Sequence, residues 1–322
     1  MPLIQSTYKP TLLFKSAHIN TVYKTLFYNN TNQYKRTRIT TPDNDFLDLD
    51  FSTIASKSLV IALHGLEGSS KSKYIISLVN FLNSKNVDSV AVNFRGCSEE
   101  DNKQIYSYNS GKTDDLNTVI NYILENYNYK NIFVVGYSMG GNITLKYLGE
   151  NTKLPSEIKG AITISVPTDL EGSSNALSHW ENKVYIKRFL ISLIKKSVAK
   201  HQKFPNSALN PTAIKNAKNF IDFDNAVTAP LFGFKNAQDY WTKCSSKQFL
   251  KNINIPTLLI NALDDTFLSE SCYPFKEALE NKKLYFETPK YGGHVGFNTY
   301  IGKRDLLWSE NRVLEFMNHI IS

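Results

Sequence analysis

Ser138 sits at the centre of Gly136-Tyr137-Ser138-Met139-Gly140, and the residues on either side give that pattern a structural meaning. Before it runs Ile132-Phe133-Val134-Val135, an apolar stretch long enough for one buried strand. After it, Ile143, Leu145 and Leu148 within Asn142 to Leu148 are spaced to share a helix face. Strand, sharp turn with serine at its apex, then helix is the layout of a nucleophile elbow. A turn that tight leaves no room for side chains two residues before or after the serine, which explains Gly136 and Gly140. It also pushes Oγ outward, with a helix N-terminus beneath any negative charge that develops.

A serine hydroxyl near neutral pH needs a base and an acid that orients the base. Of the six histidines, His294 lies in Tyr291-Gly292-Gly293-His294-Val295-Gly296-Phe297, a glycine-rich loop after the last expected strand. That loop can project an imidazole into a cleft, so His294 is the candidate base. His319 falls in a terminal helix, His179 and His201 in an inserted segment, and His18 in the N-terminal arm. His64 follows the first parallel strand, where the next backbone N–H groups have another use. The acid belongs at a strand's carboxyl end between serine and histidine in chain order. Leu258 to Phe267 supplies Asp264 and Asp265 there, and Asp265 is preferred because it stands deeper in the turn. Asp264 then shapes the loop, and Asp169 is the outside candidate. An oxyanion needs two preorganised N–H donors, each worth ~10²–10³ in rate. Met139 follows the nucleophile and offers one; Leu66 in His64-Gly65-Leu66 offers the other.

These groups need strands and helices to position them. Arg36 to Thr41 and Asp45 to Phe51 flank the turn Pro42-Asp43-Asn44 and read as an antiparallel hairpin. From Ser58 the pattern is βα: strand Leu59 to Leu63, helix Lys73 to Ser84, strand Ser89 to Phe94, a helix from Thr113, the elbow, and strand Gly160 to Val166. It resumes with strand Pro256 to Asn261, helix Glu270 to Glu280, strand Leu284 to Glu287 and a helix from about Asp305 to Ile321. The expected fold is α/β, a mostly parallel sheet with helices on both faces. Residues 167–245 break the rhythm without a clean strand, and Val184 to Val198 and Ala226 to Lys235 read as helices. This segment is expected to be a cap inserted into a core made of 36–166 and 246–322, with 1–35 an arm packed on that core.

Composition excludes several classes. The 322 residues are 42% hydrophobic and 20% charged, as in an ordinary globular chain. The net charge of +8 comes from scattered lysines, which argues for a solvated surface and against a nucleic-acid partner. Cys97, Cys244 and Cys272 are widely spaced, with no Cys-x-x-Cys, so neither a disulfide framework nor a zinc site is expected. Lys9, Lys15, Asn20 and Lys24 interrupt any signal-peptide run, and no stretch approaches the about 18 apolar residues of a membrane span. The cytoplasm is the expected location. Dinucleotide, P-loop and His-Glu-x-x-His patterns are missing, so no cofactor or metal is expected.

Five motifs in order resemble the YheT-type α/β-hydrolases. They are Leu63-His64-Gly65-Leu66-Glu67-Gly68-Ser69, Asn93-Phe94-Arg95-Gly96-Cys97, Gly136-Tyr137-Ser138-Met139-Gly140-Gly141-Asn142, Asn261-Ala262-Leu263-Asp264-Asp265 and Tyr291 to Phe297. The likeness starts at His18-Ile19-Asn20-Thr21, which matches a His-x-Asn/Gln-Thr motif, and runs to the C-terminal helix. It implies an α/β-hydrolase fold and carboxylic-ester hydrolysis of a small acyl substrate, lipid or medium-chain, with Ser138, Asp265 and His294 matching the family triad. Eukaryotic members include membrane-anchored lipid hydrolases, whose anchor has no counterpart here. A Tyr-His-Ser-Gly stretch of the family reads Tyr108-Asn109-Ser110-Gly111, so no role carries over to Asn109. The same triad would serve acyl transfer, and the rival from another class is an inactive ligand-binding module on this fold. Lys183 to Lys203 holds seven Lys/Arg and no acid among apolar residues. Such a basic amphipathic helix could touch anionic lipid or guide an acyl chain; the plainer reading packs its apolar face on the sheet and leaves the lysines in water.

Overall fold

The structure, a computed structural model, describes residues 2–151, 153–300 and 308–322. Its strands are β1 (Leu3–Ile4), β2 (Lys35–Thr40), β3 (Phe46–Ser52), β4 (Ser58–Leu63), β5 (Asp88–Asn93), β6 (Asn131–Tyr137), β7 (Ile158–Ile164), β8 (Thr257–Ile260) and β9 (Leu284–Glu287). Among the described residues they form a single sheet in the order β1-β9-β8-β7-β6-β4-β5-β3-β2. The pairs β2–β3 and β3–β5 are antiparallel and the others parallel. The expected hairpin is present, with Arg36 and Arg38 of β2 each gripping a β3 aspartate, Asp50 and Asp48, through two nitrogens.

The helices are α1 (Ala17–Phe27), α2 (Lys73–Ser84), α3 (Asp114–Asn126), α4 (Met139–Glu150), α5 (Leu170–Leu177), α6 (Lys183–Lys203), α7 (Pro211–Asn216), α8 (Phe220–Phe223), α9 (Ala229–Phe232), α10 (Ala237–Cys244), α11 (Phe275–Glu280) and α12 (Trp308–Ile321). Apolar residues from Leu59 to Leu63 of β4 serve two cores at once. Leu59, Ile61 and Leu63 pack with Val119 and Ile123 of α3 and Ile143 and Leu145 of α4. Val60 and Ala62 pack with Leu78 and Val79 of α2 and Phe316 of α12. A third cluster, around Ile186, Leu190, Ile214 and Trp241, belongs to α5–α10 and takes in Phe267.

Three expected helices change. Where a helix was expected over Ala226–Lys235, the chain forms the end of a π-helical turn, Asp224–Thr228, that continues α8, and then α9, which ends at Gly233 in the left-handed region. Pro230 has no N–H for the Ala226 carbonyl, which prevents one continuous α-helix there. Pro274 likewise divides the expected Glu270–Glu280 helix into a 3₁₀ turn, Glu270–Cys272, and α11. Helix α6 runs longer than Val184 to Val198 at both ends. Helix α10, capped by the Asn236 side chain on Asp239 N–H, had no counterpart in the sequence reading. The proposed start of the last helix at Asp305 lies outside the described residues. Among those described, no helix is long and apolar enough to cross a membrane.

The N-terminal arm lies on the body: β1 extends the sheet beside β9, and Phe14 is wholly buried. At the elbow, a Cβ on Gly136 would stand 2.5 Å from Gly140 O and 2.7 Å from Gly141 Cα. Both are backbone atoms that cannot yield. Gly136→Ala is therefore expected to cost about 2 kcal/mol of unfolding free energy. Urea unfolding monitored by circular dichroism checks this, and an unshifted midpoint would contradict the packing argument.

Candidate active site

Ser138 links β6 to α4 with φ 52° and ψ −119°, a conformation that non-glycine residues avoid. Its N–H donates to Ile164 O at 2.8 Å, and its carbonyl accepts from Asn142 N–H, so sheet and helix hold the turn from both sides. His294 Nε2 lies 2.9 Å from Ser138 Oγ. His294 Nδ1 lies 2.9 and 3.1 Å from the two oxygens of Asp265. An ionised carboxylate only accepts, so Nδ1 carries the hydrogen and Nε2 is free to accept from the serine hydroxyl. Asp265 is buried and also accepts from Phe267 N–H. The Phe267 ring lies on the imidazole at 4.2 Å between centroids and 23° between planes.

The structure thus brings Ser138, Asp265 and His294 together and assigns the other candidates elsewhere. Asp264 accepts from Gly293 N–H at 2.9 Å, and burial pushes its carboxyl up. Asp169 caps α5 through Gly172 N–H. His18 approaches the Tyr185 hydroxyl at 3.2 Å, while His179 and His319 are exposed and His201 lies on α6. Wholly buried His64 accepts from Phe94 N–H at Nε2, so its Nδ1 carries the hydrogen to Gly65 O.

The loop after β4 presses on Ser138, since a Cβ on Gly65 would stand 3.1 Å from Ser138 Cβ. Gly65 N–H donates to Tyr74 and Glu67 N–H to Tyr108, while among the described residues no protein acceptor pairs with the Leu66 N–H between them. Met139 opens α4, so its N–H has no intrahelical acceptor. Both residues line a cavity of about 1080 Å³ that also reaches Ser138 and His294. Sequence reasoning missed Phe267 over the imidazole, and Thr21 and Ser165, whose hydroxyls accept from the N–H groups of His294 and Val295. Asn109, without an inherited role, closes a turn on Gly111 N–H.

Residues 58–297 match the alpha/beta hydrolase fold family. The chain is 32% identical to the protein named "Putative esterase YheT" of Escherichia coli (strain K12), over 94% of this chain and 91% of that one. The chain is an α/β-hydrolase of the YheT type. This hydrolase is also 28% identical to phospholipase ABHD3 of Bos taurus, covering 99% of this chain and 80% of the relative. It is 27% identical to a monoacylglycerol lipase of Saccharomyces cerevisiae (strain ATCC 204508 / S288c), covering 85% and 62%. Among solved structures, the Pyrococcus furiosus esterase Pf2001 shares the fold with a TM-score of 0.60 at 21% identity, over 90% of this chain and 91% of that one.

His64 offers a pH test of the site's construction. Burial pushes its pKa from the ordinary 6.5 down to about 4. The unfolded chain takes up the proton at 6.5 while the folded hydrolase resists it until about 4. Stability from this residue is therefore complete above pH 6.5 and is lost as pH falls toward 4. Between pH 7 and pH 4 the wild type is expected to lose up to about 3 kcal/mol more unfolding free energy than His64→Gln. Urea titrations at both pH values measure the difference; equal losses would mean the imidazole is not held neutral.

Proposed function

We propose that this hydrolase cleaves carboxylic esters through an acyl-enzyme on Ser138, and the observation that carries the reading is the hydrogen-bonded series Ser138–His294–Asp265 opening on a large cavity. Ser138 Oγ attacks the acyl carbonyl carbon while His294 Nε2 takes the hydroxyl proton. Asp265 holds the imidazole in the required tautomer and stabilises the imidazolium. The Leu66 and Met139 N–H groups receive the oxyanion of the tetrahedral intermediate. His294 then delivers its proton to the leaving alkoxide, releasing an alcohol. A water molecule, deprotonated by the same nitrogen, attacks the acyl-enzyme; the acid departs and Ser138 recovers its proton. Water is the only co-reactant.

We read residues 167–245 as a cap that shapes the acyl site. The cavity is lined on that side by Leu170, Leu177, Phe189, Leu193, Phe220 and Phe223, which suits a lipid-like or medium-chain acyl group. The exposed side of α6 carries Lys183, Lys187, Arg188 and Lys195, the last two also lining the cavity, beside exposed Val184 and Ile191, with Trp180 exposed just before it. We read this cationic and apolar face as a contact with anionic lipid.

Ser138→Ala is expected to lower turnover of short p-nitrophenyl esters by about 10⁴-fold or more, with Asp265→Asn close behind at about 10⁴-fold and Asp264→Asn within about tenfold of wild type. Circular dichroism melts check that the fold survives. Undiminished hydrolysis by Ser138→Ala removes the nucleophile assignment, and a large loss in Asp264→Asn alone would move the acid by one residue. For the surface, flotation with vesicles containing anionic phospholipid should be strong at low salt and weak at high salt. It should drop in a Lys183→Gln, Lys187→Gln, Arg188→Gln, Lys195→Gln variant; flotation absent or indifferent to salt refutes lipid contact.

A further inference from the structure

We infer that the N-terminal arm is part of the machinery that aims the base: Thr21 and Asn20 of α1 are positioning residues for His294. The inference rests on the reading of His294 as that base and adds residues to it from the far end of the chain. The loop carrying the imidazole turns through left-handed backbone at Gly293 (φ 56°), Val295 (φ 61°) and Phe297 (φ 48°). Valine is β-branched and phenylalanine bulky, so neither adopts that conformation unless its surroundings impose it.

The arm imposes much of it. His294 N–H donates to Thr21 Oγ1 at 2.9 Å, and that hydroxyl donates to Ala17 O at 2.7 Å, inside α1. Wholly buried Asn20 takes Asn298 by three bonds: Oδ1 accepts from Asn298 N–H and from Asn298 Nδ2, and the Asn20 carbonyl accepts from Nδ2 again. Asn20 Nδ2 donates to Phe14 O and to the Tyr8 hydroxyl, which itself donates to Asn298 O at 2.6 Å. The helix also lies flush on both glycines that flank His294. A Cβ on Gly293 would collide with Ala17 O, and one on Gly296 would stand 2.5 Å from Asn20 Oδ1.

From the sheet side, Ser165 accepts from Val295 N–H and Asp264 from Gly293 N–H. One helical turn before Thr21, His18 meets Tyr185 of α6, whose ring packs edge-on against Phe267, the ring that covers the imidazole. The motif His18-Ile19-Asn20-Thr21 thereby receives a physical role. Asn20 and Thr21 hold the base's loop by its backbone, and His18 ties the arm to the cap helix above it.

Thr21→Val separates positioning from packing, because it keeps the branched shape and removes only the hydroxyl. Loss of an aim that depends on that hydroxyl is expected to lower kcat about 10- to 100-fold. KM should stay within about twofold, since valine keeps the branched shape that Thr21 presents to the cavity. The rate of labelling by a fluorophosphonate probe should fall with kcat, the melting temperature should move by only a few degrees at most, and Thr21→Ser should restore most of the rate. Asn20→Asp keeps the Oδ1 acceptor and removes the Nδ2 donor, and gives an independent reading should Thr21→Val prove unstable. Wild-type kcat and labelling in a folded Thr21→Val overturn the inference, as does a loss of rate that merely tracks a loss of melting temperature without rescue by serine. A wild-type protein that takes no label would sink the serine-hydrolase reading itself, and the inference with it, a result distinct from either.

Discussion

Left-handed backbone at the carboxyl ends of the strands is the constraint on which the site depends. Glu67 after β4, Ser138 after β6, Ser165 after β7, and Val295 and Phe297 after β9 all have φ between 48° and 61°. None is glycine, and each such residue costs on the order of 1–3 kcal/mol. The expense is tolerated because each turn re-aims a group the site needs. Ser138 presents its hydroxyl, Glu67 frames the Leu66 amide, and Ser165 reaches Val295 beside the imidazole. A rigid parallel sheet can hold such turns, since the N–H groups of Ser138 and Ser165 donate to Ile164 and Ile260 in the adjoining strand or its end.

Glu67 shows how the same turn connects outward. Its N–H donates to the Tyr108 hydroxyl, and that hydroxyl donates back to Glu67 Oε1. The carboxylate also accepts from Lys196 Nζ at 2.9 Å and from the Ser192 hydroxyl, both on α6. The backbone that frames the Leu66 amide and the side chain that grips α6 therefore belong to one residue. A partly buried ion pair of this kind adds little net stability, yet breaking it strands a desolvated charge. Its contribution is registration: α6 can pack at one height above the loop and not at another. Asn142 of α4 does the same from below, donating to Ser110 O and Cys244 O and accepting from Ser246 N–H.

What was legible in the sequence was local or periodic. The elbow lies within a few residues of Ser138, and Asp265 and His294 each follow an apolar strand, so order and spacing put all three forward as candidates. The choice of Asp265 over Asp264 depended on depth in a turn, and the coordinates give Asp264 to the Gly293 amide. The illegible parts depend on contacts between distant residues or on proline. Pro230 and Pro274 divide helices that periodicity joins. Nothing near Thr21 marks it as the acceptor for an amide 273 residues away. The lysines of α6 were expected in water, but Lys196 meets Glu67, and Lys200 and Lys203 donate to carbonyls of the loop at Asn102 and Gln104. Charge count alone cannot separate the inner face of a basic helix from its outer one, because both carry the same residue type.

The two halves of the site also differ in how the chain assembles them. The turn at Ser138 is built from β4, β6 and β7, neighbours in the central sheet: α4 alone joins β6 to β7, and α2, β5 and α3 lie between β4 and β6. The loop carrying His294 takes its shape from residues 8–21 meeting residues 291–298, almost the whole length of the chain apart. Closing so long a loop carries a larger entropic penalty than closing a βα unit, and the contacts that offset it exist only once the arm has docked. The serine's geometry is thus a property of the sheet, whereas the histidine's is a property of two chain ends brought together. Elbow and imidazole can therefore be uncoupled physically: weakening the dock leaves a strained, well-formed elbow facing an imidazole held by Asp265, Phe267 and the sheet-side grips at Ser165 and Asp264 alone.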